Sequence, residues 1–154
     1  MVYVPSLSPF VSSLDEVVVK MLKLARLKAG ELLYDLGSGD GRVLIAAARD
    51  FGASAVGVEL REDLVEKSID KICELHLEDR IHVIHGDLMD VSVADANVVT
   101  LYLSERGNKI LKPKFEKELK PGARVISHSY EIRGWKPIYT EHRQYRIYVY
   151  EVKK

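Results

Sequence analysis

The sequence predicts an α/β fold, a mostly parallel, helix-covered sheet with an antiparallel edge at its C-terminal end. Three observations predict it. Short apolar runs alternate with stretches whose apolar residues recur at helical spacing. A glycine cluster, Gly37-Ser38-Gly39-Asp40-Gly41, stands between the first such run and the helix pattern after it. The two last apolar runs, by contrast, are joined without room for a helix, and strands so joined pair antiparallel.

Residues 1–12, with Pro5 and Pro9, read as an extended arm, because each proline lacks a donor and biases its predecessor away from helix. An N-terminal helix over 13–29 follows. Ser13 and Glu16 form a capping-box pair, and Leu14, Val17, Val18, Met21, Leu22 and Ala25 share one helical face until Gly30. The core sheet and its helices take residues 31–154. Leu32 to Leu36 is a first strand, and Arg42 to Phe51 a helix closed by Gly52 at its C-cap. Ala55 to Leu60 is a second strand, and Leu64, Val65, Ile69, Ile72, Cys73 and His76 mark the apolar face of another helix. Ile81 to His85 is the third strand, and the loop from Asp90 to Asp95 is too short for a full crossover helix. Val98 to Leu103 is the fourth. Ser104 to Lys120 is helical in pattern, with Pro113 expected to kink or split it. After the Pro121-Gly122 turn comes a fifth strand, Arg124 to His128, and two more are expected near Lys136 to His142 and Gln144 to Val152.

Composition bounds the function. With 154 residues, 47% apolar and 30% charged, the chain is one domain's worth of packed, soluble material. Its 23 basic side chains cancel 23 acidic ones, so no bulk field draws in nucleic acid or an anionic membrane. A lone Cys73 excludes an internal disulfide and suits a reducing cytoplasm, and no segment approaches the roughly 18 apolar residues of a membrane span. Amides are confined to Asn97, Asn108 and Gln144, a scarcity that points to a thermophilic source.

Three glycines in the turn from Asp35 to Gly41 bring backbone close to a ligand, where side chains would obstruct it. Arg42 stands where a dinucleotide fold would need its third glycine, which disfavours nicotinamide. Glu59 ends the second strand, where a carboxylate can take both hydroxyls of a ribose. Asp87, after Gly86 at the end of the third, is placed to accept from an adenine amino group. Their succession after the glycine loop is what separates them from ordinary loop acids.

On these residues, over roughly 31–130, the chain resembles the class I, seven-strand S-adenosylmethionine-dependent methyltransferases. A fuller likeness, covering almost the whole chain, is to the small archaeal protein-lysine methyltransferases and the related mitochondrial family. It rests on Pro9-Phe10-Val11-Ser12-Ser13, Tyr34 to Arg42, Val98 to Leu103, Leu111-Lys112-Pro113-Lys114, and Ser127 to Trp135. The arm departs from the family's tyrosine-valine-proline-threonine, with Ser12 in place of the proline.

The resemblance implies a three-layer, Rossmann-like sheet of seven strands without a cap domain, with S-adenosyl-L-methionine as cofactor. It implies cofactor contacts at Ser13, Asp35, Gly37, Ser38, Gly39, Gly41, Glu59, Asp87, Leu88 and Thr100. The implied reaction is transfer of a methyl group to the side-chain amine of protein lysines. That in-line displacement needs alignment and a slot favouring the uncharged amine more than it needs a strong base. Tyr102, His128 and Trp135 are the expected catalytic residues, with Tyr130, Tyr3 and Phe10 as further linings, although a single aromatic near a strand end is ordinarily packing.

Other acceptors are weighed by what is missing. No Asn-Pro-Pro-Tyr type motif follows the fourth strand, Cys73 is better explained as core than as a nucleophile, and no metal is expected. Seven strands consume nearly the whole chain and leave nothing to enclose a metabolite, so the acceptor is expected on a protein surface. Small-molecule or RNA methylation, and a weakly active cofactor-binding companion protein, remain the alternatives. A monomer is compatible with the sequence.

Overall fold

The computed structural model describes residues 15–154. The predicted arm, the capping Ser13 and Leu14 lie outside the described residues. In chain order the elements are α1 (Asp15–Leu24), β1 (Leu32–Leu36), α2 (Arg42–Phe51), β2 (Ser54–Glu59), α3 (Glu62–Glu74), β3 (Ile81–His85), a 3-10 turn (Leu88–Asp90), β4 (Val98–Leu101), α4 (Glu105–Glu118), β5 (Arg124–His128), β6 (Tyr139–Glu141) and β7 (Ile147–Glu151).

The seven strands form one sheet in the order β3-β2-β1-β4-β5-β7-β6. The first five are parallel, while β7 runs antiparallel to both β5 and β6, and its pairing with β6 follows from the short, helix-free link between the last two strands. The chain works outward from β1 to β3 and then crosses to β4 on the other side of β1. Such a reversal leaves a crevice at the C-terminal ends of the two central strands.

Both sheet faces are covered, so the strands alternate between two cores. Leu33, Val98, Ile126, Ile147 and Val149 pack against Val18, Leu22, Leu44 and Ile72 from α1, α2 and α3. On the other face Tyr34, Val99, Val125 and Tyr150 pack against Leu111 and Phe115 of α4. The result is three layers.

Four local expectations are corrected. The first helix stops at Leu24 rather than Ala29. Arg124 supplies the reason: its guanidinium donates to the carbonyls of Ala25 (2.9 Å) and Arg26 (3.2 Å) and pairs with Glu31 (2.7 Å), taking up the carbonyls at the helix end. The fourth strand ends at Leu101, two residues short of Leu103. Pro113 sits inside an uninterrupted α4. The bond its missing N–H forfeits is outweighed by Leu111 and Phe115, both fully buried on either side of it. Finally, Cys73 and Ile69 are exposed, because the buried stripe of α3 runs through Leu64, Val65, Ser68 and Ile72. A residue one position after Ile72 is turned about 100° away from that stripe.

Candidate functional site

The glycine turn between β1 and α2 folds flat against β2. Gly37 and Ser38 both donate to the carbonyl of Val58, at 2.8 and 3.0 Å. Gly37, Gly39 and Gly41 have φ of 84°, 56° and 86°, the left-handed region that side chains rarely adopt. Two residues pin the middle of the turn. Glu59 accepts from the Gly39 N–H at 2.8 Å, and Ser68 Oγ lies 3.0 Å from the Gly39 carbonyl. The second Glu59 oxygen takes the Arg61 N–H at 2.9 Å. The acid read from sequence as a ribose ligand is here the brace of the loop, and it keeps lone pairs that a ligand hydroxyl could use.

Sequence reading missed Ser68 and Gly57. Ser68 is a polar residue in the apolar stripe of α3, and that interruption was its signal. Gly57 is a glycine inside a strand, a mark of close backbone approach. A Cβ there would stand 2.5 Å from Leu44 Cδ1 and 2.6 Å from Ser38 Oγ, so its absence lets the loop and α2 settle on β2.

Asp35, at the end of β1, is buried, and its carboxylate accepts from Thr100 Oγ1 at 2.8 Å. Burial drives its pKa up to about 7, the Thr100 bond opposes the rise, and the negative charges of Glu59 and Asp40 add to it. Asp40 is held below the usual carboxylate range, chiefly by its hydrogen bonds from Arg42 at 2.7 and 3.1 Å. Thr100, expected at the cofactor, has its hydroxyl engaged by Asp35. Ser38 Oγ is buried and has no hydrogen-bond partner among the described residues. A close-lying backbone turn, an orphaned hydroxyl and a buried acid beside other acids together suit a small polar molecule carrying positive charge.

At the end of β3, Asp87 caps the 3-10 turn by accepting from the Met89 N–H at 2.8 Å through one oxygen. Leu88 is buried in the α4-side core, which leaves its main chain rather than its side chain for a ligand.

The structure brings Tyr102, just beyond β4, and His128, at the end of β5, into contact, with ring centroids 4.0 Å apart. Burial lowers the pKa of His128, so its imidazole is neutral near pH 7. A third ring, absent from the sequence reading, joins them: Tyr145 stands edge-on to His128 with centroids 6.4 Å apart. Its hydroxyl donates to the Glu16 carboxylate of α1. Exposed Tyr130 lies in the loop after β5, which Asn108 Nδ2 of α4 holds through Ser127 Oγ (3.0 Å) and the Tyr130 carbonyl (3.1 Å).

Trp135 is not part of this group. It packs on Phe115 and Tyr150 and donates to Glu116 at 3.1 Å. Glu116 belongs to the last turn of α4, and Tyr150 is paired with Val125 near the start of β5, so Trp135 lies toward the opposite rim of the sheet. An aromatic soon after a strand end looked like a site lining; the loop instead carries it back along α4. Ser13, Tyr3 and Phe10 fall outside the described residues.

Residues 35–139 match the family described as the ANTKMT methyltransferase domain. A protein-lysine N-methyltransferase of Saccharolobus islandicus is 44% identical over 138 residues, 89% of this chain and 85% of that one. The adenine nucleotide translocase lysine N-methyltransferase of Mus musculus is 32% identical over 84% of this chain, which spans 56% of the mouse protein. Among solved structures, an RNA methyltransferase from Salinibacter ruber in complex with S-adenosyl-L-homocysteine superposes with a TM-score of 0.91. It shares 38% identity, covering 94% of this chain and 95% of its own.

Proposed function

Because the chain belongs to the ANTKMT methyltransferase domain family, we propose that it transfers methyl groups from S-adenosyl-L-methionine to the side-chain amines of lysines exposed on proteins. One observation carries the reading: a buried acidic well and an aromatic cluster share the rim formed by the ends of the central strands. The well suits a cationic cofactor and the cluster an alkyl stem ending in nitrogen. The protein-lysine specificity named for the Saccharolobus and mouse relatives supports the acceptor.

The bound cofactor supplies an electrophilic methyl group. Gly37, Gly39 and Gly41 leave room for it against the backbone, Asp35 offers a buried counter-charge, Ser38 a free hydroxyl, and Glu59 and Asp87 acceptors for its sugar and base. On the acceptor side, Tyr102 and His128 exclude water from the lysine stem. Desolvation lowers the amine's pKa from about 10.4, so that the neutral, nucleophilic form is reached. Burial lowers the pKa of His128, so the residue serves the stem as an uncharged ring rather than as a strong base. We read the chain as one catalytic domain acting on proteins in a reducing cytoplasm, in keeping with its single cysteine, and its scarce amides as a mark of a hot habitat. Among the described residues no helix is long and apolar enough to cross a membrane.

The test is incubation of the purified protein with labelled S-adenosyl-L-methionine and a lysate of its own source, with and without nuclease, followed by residue mapping. Label on protein lysines is expected. Nuclease-sensitive label would instead favour the activity named for the Salinibacter structure. Cofactor binding without macromolecular label would favour a small-molecule acceptor or a companion-protein role.

A further inference from the structure

The Tyr145 ring and the Glu16 carboxylate extend the Tyr102–His128 pair into a continuous line from the buried end of β5 to the surface of α1. In order, the line runs phenol, imidazole, phenol, carboxylate. His128 is buried, Tyr145 is half-buried and Glu16 is exposed, so polarity increases outward along it. Glu16 and Tyr145 are 129 positions apart in the chain. The Tyr145 ring packs against the core formed with α1, α2 and α3, and its hydroxyl alone reaches out to Glu16 at the edge of the site.

Resting on the protein-lysine reading above, we propose that Glu16 and Tyr145 are positioning residues of the acceptor site. The Glu16 carboxylate is the outer, anionic mouth that draws in a lysine ammonium. Tyr145, held by Glu16, fixes the His128 ring along which the methylenes then lie. A lysine entering head first would meet the Glu16 carboxylate as the ammonium and pass inward along the rings, where desolvation favours the amine and the methylenes are left against Tyr145 and His128. Neighbouring charges leave Glu16 this role. Lys20 of α1 is paired with Glu141 at 2.7 Å, and Asp15 lies 3.7 Å from Arg42.

The experiment measures lysine label from tritiated S-adenosyl-L-methionine, with heat-inactivated lysate of the protein's own source titrated as acceptor. Tyr145→Phe keeps the ring and removes the hydroxyl; Glu16→Gln keeps an acceptor and removes the charge. Both should raise the apparent KM for acceptor about three- to tenfold. Turnover and calorimetric cofactor affinity should stay within about twofold, and thermal melts should be unchanged, since the bond is at the surface. The Glu16→Gln penalty should shrink as salt rises from about 50 to about 500 mM, as expected for a screened attraction. A wild-type KM in both variants, or losses confined to turnover or cofactor affinity, would overturn the proposal. Wild-type protein that binds cofactor but labels no lysine would overturn the underlying reading, and the positioning role with it.

Discussion

Asp35 and Thr100 are register partners across the junction of β1 and β4, and the threonine hydroxyl donates to the buried carboxylate at 2.8 Å. The two strands meet where the sheet reverses direction, so the bond sits at the floor of the crevice. One hydroxyl does not offset the burial of a full charge, and Asp35 titrates at about 7.

That imbalance sets a pH dependence. Between the ordinary value of 3.8 and about 7 the folded protein holds a proton on Asp35 that the unfolded chain has released. The group's favourable contribution is therefore complete below the unfolded value and is lost as pH rises to about 7. Asp35→Asn should raise the stability of the cofactor-free protein by about 1–3 kcal/mol above pH 7 and have little effect near pH 4, while abolishing cofactor binding. Melting curves of both proteins from pH 4 to 8 would show the difference opening with pH.

Glu59 braces Gly39 and Arg61 and is proposed to hold the cofactor. Glu59→Ala should weaken cofactor binding by about 1.5–3 kcal/mol and lower stability by a similar amount, since buried donors lose their partner. Calorimetry paired with chemical unfolding tests this. A binding loss without a stability loss would mean the brace is dispensable.

At Gly57, alanine would force its Cβ against Leu44 and Ser38. The expected cost is about 1–3 kcal/mol of stability, as for other overpacked sites, with the glycine loop lifted and cofactor affinity reduced. Gly39→Arg should abolish binding by adding a side chain to a residue at φ of 56°. Denaturant midpoints and cofactor titrations check both.

Tyr102 and Trp135 should separate cleanly. Tyr102→Ala removes the partner of His128 and should lower turnover at least about tenfold with a smaller effect on cofactor affinity. Trp135→Phe keeps the packing on Phe115 and Tyr150, loses only the bond to Glu116, and should leave turnover within about twofold. Equal losses in both variants would return Trp135 to the site.

The legible part of the molecule was the part encoded locally. Alternating apolar runs announced the strands, and the glycines at 37, 39 and 41 announced the turn, because φ above zero selects residue type directly. The rest depends on partners distant in sequence. Nothing near Tyr145 indicates that its hydroxyl meets Glu16, and nothing near Trp135 shows that its loop returns along α4. Cys73 and Pro113 misled for a related reason. Helical spacing cannot say which of two adjacent residues faces the sheet, and a proline's local penalty cannot be weighed without the burial around it.

The placement of β7 between β5 and β6 has a consequence for the order in which the chain becomes competent during synthesis. The glycine turn proposed for the cofactor is drawn together by contacts closed early, Gly39 to Glu59 across 20 positions and Gly39 to Ser68 across 29. The rings proposed for the acceptor wait. Tyr145 arrives just ahead of β7, and the loop after β5 finds the Tyr150 hydroxyl for its Ile132 N–H only when that strand slots in. On the ribosome, the turn proposed to hold the methyl donor is thus specified before the rings proposed to aim it, and that aromatic wall is completed only with the last strand of the sheet.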